Sequence, residues 1–315
     1  MCKPKLVATG RGAASEHPYH RDLQRGISMP NYLAPEDDGL VARKSGAWVE
    51  DKLDYLARYI SAFETSMREK PWRARHYVDL LAGPGKCRVI GTKQILLGSP
   101  LIALTTEYPF TRYFFVDHDH ANIESLRQRC SESPLTESIS IKEGDCNLLV
   151  DDIVREIKEI DHYIPGIWSS INLGFLDSQG LELKWTTVAK LAKVSRMDMV
   201  INFPIYGLRL NMHSSLKQKH SCVDDFFGGP EWRQIYRDAV GRGKLARALL
   251  DFYKDKLGKL GYQDVRDSEE VLIRNIQRRG PLYYLIFVSK SDLGNKFWND
   301  ITRRNVRGQL ALFTS

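Results

Sequence analysis

Short apolar runs recur along the middle of the chain, separated by more polar stretches. The runs are rich in β-branched and aromatic side chains, and they are nearly continuous in hydrophobicity. This pattern is typical of strands in a parallel sheet that is covered on both faces. The predicted strands lie at residues 77–81, 113–116, 138–141, 167–176 and 197–203.

Segments with a helical period lie between these runs. Apolar residues recur every three or four positions behind Ser99, around Ile123, after Leu149 and around Val188. Because strands alternate with helices, we expect an α/β fold with a doubly wound, mostly parallel, Rossmann-like sheet. After residue 270, two further apolar runs flank an Arg-Gly-Pro turn. They predict a C-terminal antiparallel hairpin that closes one edge of the sheet.

The two ends of the chain differ from this alternating middle. Residues 1–44 are polar, contain several Pro and Gly and show no sustained period, so we expect an N-terminal arm. A helix with an apolar stripe follows, and Ser45 is its predicted cap. We expect residues 45–315 to form one α/β domain, with a polar, Gly-rich insertion near residues 206–243.

Composition narrows the class of protein. The chain has 315 residues, of which 43% are hydrophobic and 27% charged, as in soluble globular proteins. No apolar run approaches the roughly 20 residues of a membrane helix, so we expect a cytoplasmic protein without membrane contact. The five cysteines are scattered without a C-x-x-C pair, which argues against a disulfide framework or a structural zinc site. The net charge of +7, with arginines crowded near the C-terminal end, fits either a solvated basic surface or nucleic-acid contact.

The segment YVDLLAGPGKCRVIG ends the first strand in a turn with two glycines. Because glycine has no Cβ, Gly83 and Gly85 let the backbone come close to a ligand, although a plain tight turn is the structural alternative. A dinucleotide site normally has a third glycine and a helix that begins at once. Here a long loop, residues 86–97, is expected to intervene. The turn therefore favours a ligand without phosphates.

Acidic residues follow the next two strands. Asp117 ends the second strand, where a carboxylate can accept both hydrogen bonds of a ribose diol. Asp145 follows the third strand, where it can accept from an adenine amine, and each acid also fits the cap of a following helix. Since parallel strands end at a common edge, the glycine turn and the two acids together predict a site for S-adenosylmethionine (SAM).

This order of motifs resembles the class I SAM-dependent methyltransferases. From about Ser45 onward the chain is also similar to a narrower bacterial group, the three-Cys-motif partner family (TcmP). The likeness is carried by Trp48, Lys52 and Leu53, and by the runs YVDLLAGPG, GSPLIAL, FFVDHD, GD.N, FLDSQG, INFP and YYLIFVSK with Phe297 and Trp298. It implies a methyltransferase-like fold and a companion protein with three cysteines, similar to a radical SAM protein.

The motif after the fourth strand departs from that family. Its members carry Asp-Pro there, similar to the Asp-Pro-Pro-Tyr loop of amino-group methyltransferases, whereas this chain has Asp177-Ser178-Gln179-Gly180. We name Asp177, Gln179 and Tyr206 as candidate catalytic residues, with Asp177 binding the nucleophile and Tyr206 stacking on the acceptor. The candidate cofactor-binding residues are Asp79, Ala82, Gly83, Gly85, Asp117, His118, Asp145 and Cys146.

Two functions of different class stay open. One is a SAM-dependent methyltransferase of unknown acceptor, in which nucleic acid is one candidate. The other is a non-catalytic or partner-dependent module that binds nucleic acid or protein together with the three-Cys-motif companion. The glycine turn and Asp117 favour the enzyme, whereas the altered run at 177–180 favours the module. No metal site is expected, because His118 and His120 alternate with acids as in a solvated loop, and Cys146 is expected to be a buried structural thiol.

Overall fold

The computed structural model describes residues 31–161, 163–263, 265, 269–275 and 280–303. Within these ranges a seven-stranded sheet has the order β6-β5-β2-β7-β8-β10-β9, and β1, β3 and β4 form a small second sheet. The strands are β1 (Arg43–Ser45), β2 (Arg75–Asp79), β3 (Lys86–Val89), β4 (Ile95–Leu97), β5 (Arg112–Asp117), β6 (Ile139–Glu143), β7 (Ile171–Leu176), β8 (Met197–Phe203), β9 (Val271–Arg274) and β10 (Pro281–Val288).

Helices cover both faces of the seven-stranded sheet. They are α1 (Val49–Met67), α2 (Ser99–Leu104), α3 (His120–Ser131), α4 (Cys146–Ile160), α5 (Trp185–Ala192), α6 (Ile205–Ser215), α7 (Cys222–Phe227), α8 (Trp232–Ala239), α9 (Leu245–Lys259) and α10 (Asp292–Thr302). Short 3-10 turns lie at Asn31–Leu33 and Thr136–Ser138. No helix in the described ranges is both long and apolar enough to cross a membrane.

The predicted fold class is confirmed. Strands β6, β5, β2, β7 and β8 pair in parallel, and β10 pairs antiparallel with both β8 and β9. The C-terminal hairpin therefore closes one edge of a doubly wound, mostly parallel sheet.

Side chains of the central strands alternate between two apolar cores. Tyr77 packs in the core that also contains Leu56 of α1 and Trp298 of α10, whereas its neighbour Val78 packs in the core beneath α4, α5 and α9. Both residues are fully buried. This burial on two faces explains why the strands are nearly continuous in hydrophobicity.

The expectation of a long loop at residues 86–97 is wrong, because this segment contains β3 and β4. Arg43 of β1 lies opposite Cys87 of β3 in a parallel pair, and β3 continues into β4 as an antiparallel hairpin. Ser45 belongs to β1 and does not cap α1, which begins at Val49 after Trp48. Strand β1 spans the predicted boundary between arm and domain, which itself stays a prediction.

The segment predicted as a Gly-rich insertion, near residues 206–243, contains α6, α7 and α8 in the structure. Gly228 ends α7 with φ of 68°, a left-handed conformation that glycine adopts at helix ends without strain. The segment connects β8 with α9, and it packs against the core on the α9 side of the sheet.

Candidate functional site

The glycine turn and Asp117 meet at the carboxyl edge of the sheet. Strands β2 and β5 are parallel neighbours, so the turn that follows β2 lies beside the end of β5. The Gly83 amide donates to Asp117 Oδ2 over 2.8 Å, and the Ala82 amide donates to the Val116 carbonyl, also over 2.8 Å. Gly83 has φ of 65°, so the turn requires its left-handed backbone.

Gly85 serves packing as well as the turn. It has φ of 89°, and a Cβ on it would lie 3.0 Å from Leu126 and 3.2 Å from Leu101. Its carbonyl accepts from the Gly98 amide over 2.6 Å, and a Cβ on Gly98 would lie 2.9 Å from that carbonyl oxygen. The expectation that the missing Cβ of Gly85 makes room for a ligand is therefore wrong, because leucine side chains lie there. Gly98 is a structural partner of the turn that the sequence analysis missed.

Asp117 is 2% exposed, and its carboxylate already accepts several hydrogen bonds. Oδ1 accepts from the Asp119 amide at 2.9 Å and from Asn122 Nδ2 at 3.2 Å. Oδ2 accepts from the Gly83 amide, and the Arg43 guanidinium lies 3.4 Å from it. A carboxylate has about four acceptor positions, so a ribose diol has to replace at least one of these donors.

The third strand end lies beside Asp117, since the Gly144 amide donates to the Asp117 carbonyl over 2.9 Å. Asp145 itself is exposed and caps α4: its Oδ1 accepts from the Asn147 amide and from Asn147 Nδ2, both at 2.8 Å. Cys146 is buried in the core, and burial raises the pKa of its thiol to about 12. The side chain of His118 is 76% exposed, and its Nδ1 lies 3.9 Å from Asp117 Oδ1.

Asp177 lies at the end of β7 in a buried polar cluster. The Lys52 ammonium of α1 donates to its Oδ2, and Asn202 Nδ2 of β8 donates to its Oδ1 over 3.1 Å. Lys52 is buried on the sheet-facing side of α1, among Leu53 and Leu56. A lysine inside an apolar stripe was the signal for this contact in the sequence.

Asp79 is fully buried at the end of β2. Burial raises the pKa of its carboxyl to about 7, although hydrogen bonds from Ser99 and the Leu81 amide act in the opposite direction. The negative charge of Asp177 raises this pKa further. The carboxyl of Asp79, which lies at the bottom of the site, therefore loses its proton as the pH rises through the neutral range.

A pocket joins the glycine turn to Asp177. It is lined by Arg43, Ser45, Val49, Lys52, Leu53, Leu81, Ala82, Gly83, Pro84, Gly85, Lys86, Cys87, Gly98, Ser99, Asp177 and Gln179. Its cavity is about 20 Å³, enough for about one water molecule. Arg43 accounts for much of this closure, because a Cβ on Gly83 would lie 3.2 Å from its guanidinium. Tyr206 does not line the pocket; it lies on α6 and is 50% exposed.

Residues 36–45, which we call the strap, are held over the turn by two buried cations. Arg129 donates to both oxygens of Asp38 at 2.8 and 2.7 Å, and to the carbonyls of Val41 and Pro84. Lys86 lies 2.9 Å from Asp38. Although burial opposes it, the hydrogen bonds from Arg129 and Lys86 lower the pKa of Asp38. The strap keeps Arg43 over the turn, which the sequence analysis did not predict.

The described part of the chain contains no group of three His, Cys, Asp or Glu side chains that could hold a metal ion. The candidate site therefore consists of the glycine turn with Asp117, the buried acids Asp79 and Asp177, and the cations Arg43 and Lys52. These groups can bind hydroxyl, ammonium and carboxylate groups of a ligand.

No family model matches the chain, and a search of curated proteins gives no match. Among solved structures, an O-methyltransferase from Bacillus cereus in complex with SAH is 11% identical, with a TM-score of 0.42 over 86% of this chain and 96% of that chain. A SAM-bound O-methyltransferase of tomaymycin synthesis from Streptomyces achromogenes is 11% identical, with a TM-score of 0.40 over 88% of this chain and 91% of that chain. Geranyl diphosphate C-methyltransferase from Streptomyces coelicolor is 12% identical, with a TM-score of 0.31 over 87% of this chain and 99% of that chain.

Proposed function

We propose that this protein is a SAM-dependent methyltransferase whose cofactor binds at the carboxyl edge of the sheet, between the Gly83 turn and Asp117. The observation that carries the proposal is the 2.8 Å hydrogen bond from the Gly83 amide to Asp117. This bond holds the glycine backbone, which a ligand can approach closely, next to a buried carboxylate. A nucleoside with a free ribose diol requires both groups.

The chemistry of the residues fits this cofactor. Asp79 and Asp177 supply carboxyl groups for an ammonium or sulfonium. The cavity of about 20 Å³ is too small for the cofactor, so the Arg43 side chain has to swing away from Gly83. That side chain is 24% exposed, and its contact with Asp117 is long at 3.4 Å. Moving the Arg43 side chain away from Asp117 therefore costs little free energy.

When bound, SAM supplies a methyl group that is already activated on a sulfonium, so that positioning matters more than a strong base. Asp177 would orient the acceptor. Lys52 donates to Oδ2 of Asp177 and Asn202 donates to Oδ1. Each oxygen keeps a second lone pair, which can accept a hydrogen bond from the molecule that is to be methylated. Gln179 lines the pocket and offers an amide to the acceptor, whereas the exposed ring of Tyr206 lies outside the lining and would be reached only by a part of the acceptor that extends beyond the pocket.

Calorimetric titration of S-adenosylhomocysteine (SAH) into the full chain tests this proposal. We expect saturable binding of one SAH per chain, and weaker binding of NAD, because the turn does not lead directly into a helix that could hold a pyrophosphate. Absence of heat with both SAH and SAM would overturn the proposal.

The rival function is a partner-dependent module that binds nucleic acid or a three-Cys-motif companion. It is favoured by the Lys52 contact, because that cation already neutralises Asp177, the residue expected to bind a nucleophile. A salt titration of DNA and RNA binding distinguishes this function. Phosphate contacts weaken as salt rises, so salt-insensitive binding would argue against a nucleic-acid module.

A further inference from the structure

A second cavity lies at the opposite, amino edge of the sheet. Its volume is about 170 Å³, against about 20 Å³ at the glycine turn. It lies near the starts of β7 and β8, between the C-terminal half of α1 and the start of α10. Its lining comprises Tyr59, Phe63, Met67, Lys70, Trp72, Trp168, Ile171, Arg196, Asp198, Lys290, Ser291, Leu293, Gly294 and Phe297. None of these residues belongs to the candidate methyltransferase site.

Two tryptophans and an arginine form one wall of this cavity. The rings of Trp72 and Trp168 meet edge to face with centroids 4.7 Å apart. The Arg196 guanidinium lies 4.9 Å from the Trp72 centroid and 5.9 Å from that of Trp168. Arg196 has φ of 47°, the only non-glycine with positive φ among the described residues. Such a backbone is unfavourable for arginine and is often found at ligand sites.

The wall also contains an unpaired indole N–H. Trp72 Nε1 is buried and has no hydrogen-bond partner in the described part of the chain. A buried indole N–H normally has an acceptor, so this residue of the wall departs from the usual pattern.

The charges around the cavity are mostly positive. Lys70, Arg196 and Lys290 line it, and the Lys290 ammonium also donates to the Ala192 carbonyl. The acid in the lining is Asp198, which accepts from the Tyr59 hydroxyl over 3.0 Å. Burial raises the pKa of Asp198 to about 6, which weakens its opposition to the cations below neutral pH. The lining therefore favours an anion.

We propose that this cavity binds a small aromatic carboxylate. Its ring would lie against the Trp72 and Trp168 wall, and its carboxylate would pair with Arg196 and the neighbouring lysines. The size agrees, because a cavity of about 150 Å³ in another protein holds one benzene ring. The site is separate from the glycine turn, so the proposal does not depend on the methyltransferase function.

Tryptophan fluorescence and calorimetry on the full chain test the proposal, with benzoate and 4-hydroxybenzoate as probes. We expect saturable quenching, and binding of neutral benzamide and of aliphatic propionate weaker by about tenfold, because each lacks either the charge or the ring. The variant Arg196→Gly removes the guanidinium and relieves the positive φ, so it should fold. It should weaken benzoate binding by about tenfold.

Arg209→Ala is the matched control, because Arg209 is an exposed arginine on α6 and does not line the cavity. Its benzoate affinity should equal that of the unaltered chain. Trp168→Leu, at a position 44% exposed, should weaken binding and reduce the quenching, of which Trp72 would retain a part. Absence of saturable benzoate binding, or equal binding by the unaltered chain and Arg196→Gly, overturns the proposal.

Discussion

The Gly83 amide donates to Asp117 Oδ2 over 2.8 Å, although the two residues lie 34 positions apart. The bond fixes the turn after β2 against the end of β5, so a ligand at this edge meets a glycine backbone and a carboxylate in a fixed relation. Arg43 lies over both groups. Access to the site therefore depends on a side chain that belongs to neither strand.

The acids Asp117 and Asp145 should differ in their effect on cofactor binding. We expect Asp117→Asn to weaken SAH binding by about tenfold or more, because the amide loses the charge and one acceptor oxygen. Asp145→Asn should change it by less than about twofold, because asparagine caps a helix as well as aspartate does. Calorimetry on both variants checks this. Equal losses would show that Asp145 contacts the cofactor in addition to capping α4.

Removing the Arg43 side chain should open the site. We expect Arg43→Ala to bind SAH more tightly than the unaltered chain, by about three- to tenfold, because the ribose no longer competes with the guanidinium. Arg127→Ala is the control, since Arg127 lies on α3 and pairs with Glu124 at the surface. Weaker binding by Arg43→Ala alone would show that Arg43 contacts the cofactor directly.

The Lys52–Asp177 pair should matter for stability. Lys52→Met leaves the carboxylate of Asp177 buried without its cation, and we expect the free energy of unfolding to fall by about 3 kcal/mol. In Lys52→Met/Asp177→Asn the loss should be smaller than the sum of the single losses. Urea unfolding measures both.

Lys190→Met serves as the matched control for that pair. Lys190 pairs with Asp151 at the surface, where an ion pair contributes less than about 1 kcal/mol. If Lys52→Met cost no more than Lys190→Met, the buried pair would not stabilise the fold as described.

Asp79 should make the protein less stable as pH rises. Its pKa is about 7 in the folded chain and near 3.8 when unfolded, so between these values the folded state holds a proton that the unfolded state has lost. The contribution of the Asp79 carboxyl to the free energy of unfolding is therefore largest below about pH 4, and it declines as the pH rises to about 7. From pH 5 to 8 we expect a loss of about 3 kcal/mol. Urea unfolding should show a shallower decline for Asp79→Asn, and an unchanged slope would contradict the raised pKa.

The sequence predicted the main sheet because its strands are buried on two faces. Val78 and Tyr77 face different cores, so every position of β2 after its first is buried and the strand is visible as an apolar run. Strands β3 and β4 escaped prediction because both are short, and because β3 includes Lys86 and Arg88. Their pairing depends on β1, which lies about forty residues earlier in the chain.

The candidate site was predictable where it follows strand ends and not where distant segments supply it. Asp79, Gly83, Asp117 and Asp177 lie at the edge that the strand order predicts. Arg43 and Lys52 come from the strap and from α1, and local pattern cannot show which strand end such residues reach. Asp145 shows a second limit: the same short motif serves a cap or a ligand contact, and the sequence alone does not reveal that its Oδ1 accepts from Asn147.

The strap has a practical consequence for anyone trimming this protein. A version begun at Ser45, where composition alone suggests a natural start, would lack most of β1 and all of Asp38. Strand β3 would then have an open edge available for pairing with other molecules, and the interior positive charges of Lys86 and Arg129 would have lost their counter-ion. Poor yield of such a shortened protein would result from the loss of the strap and not from a defect in the seven-stranded sheet.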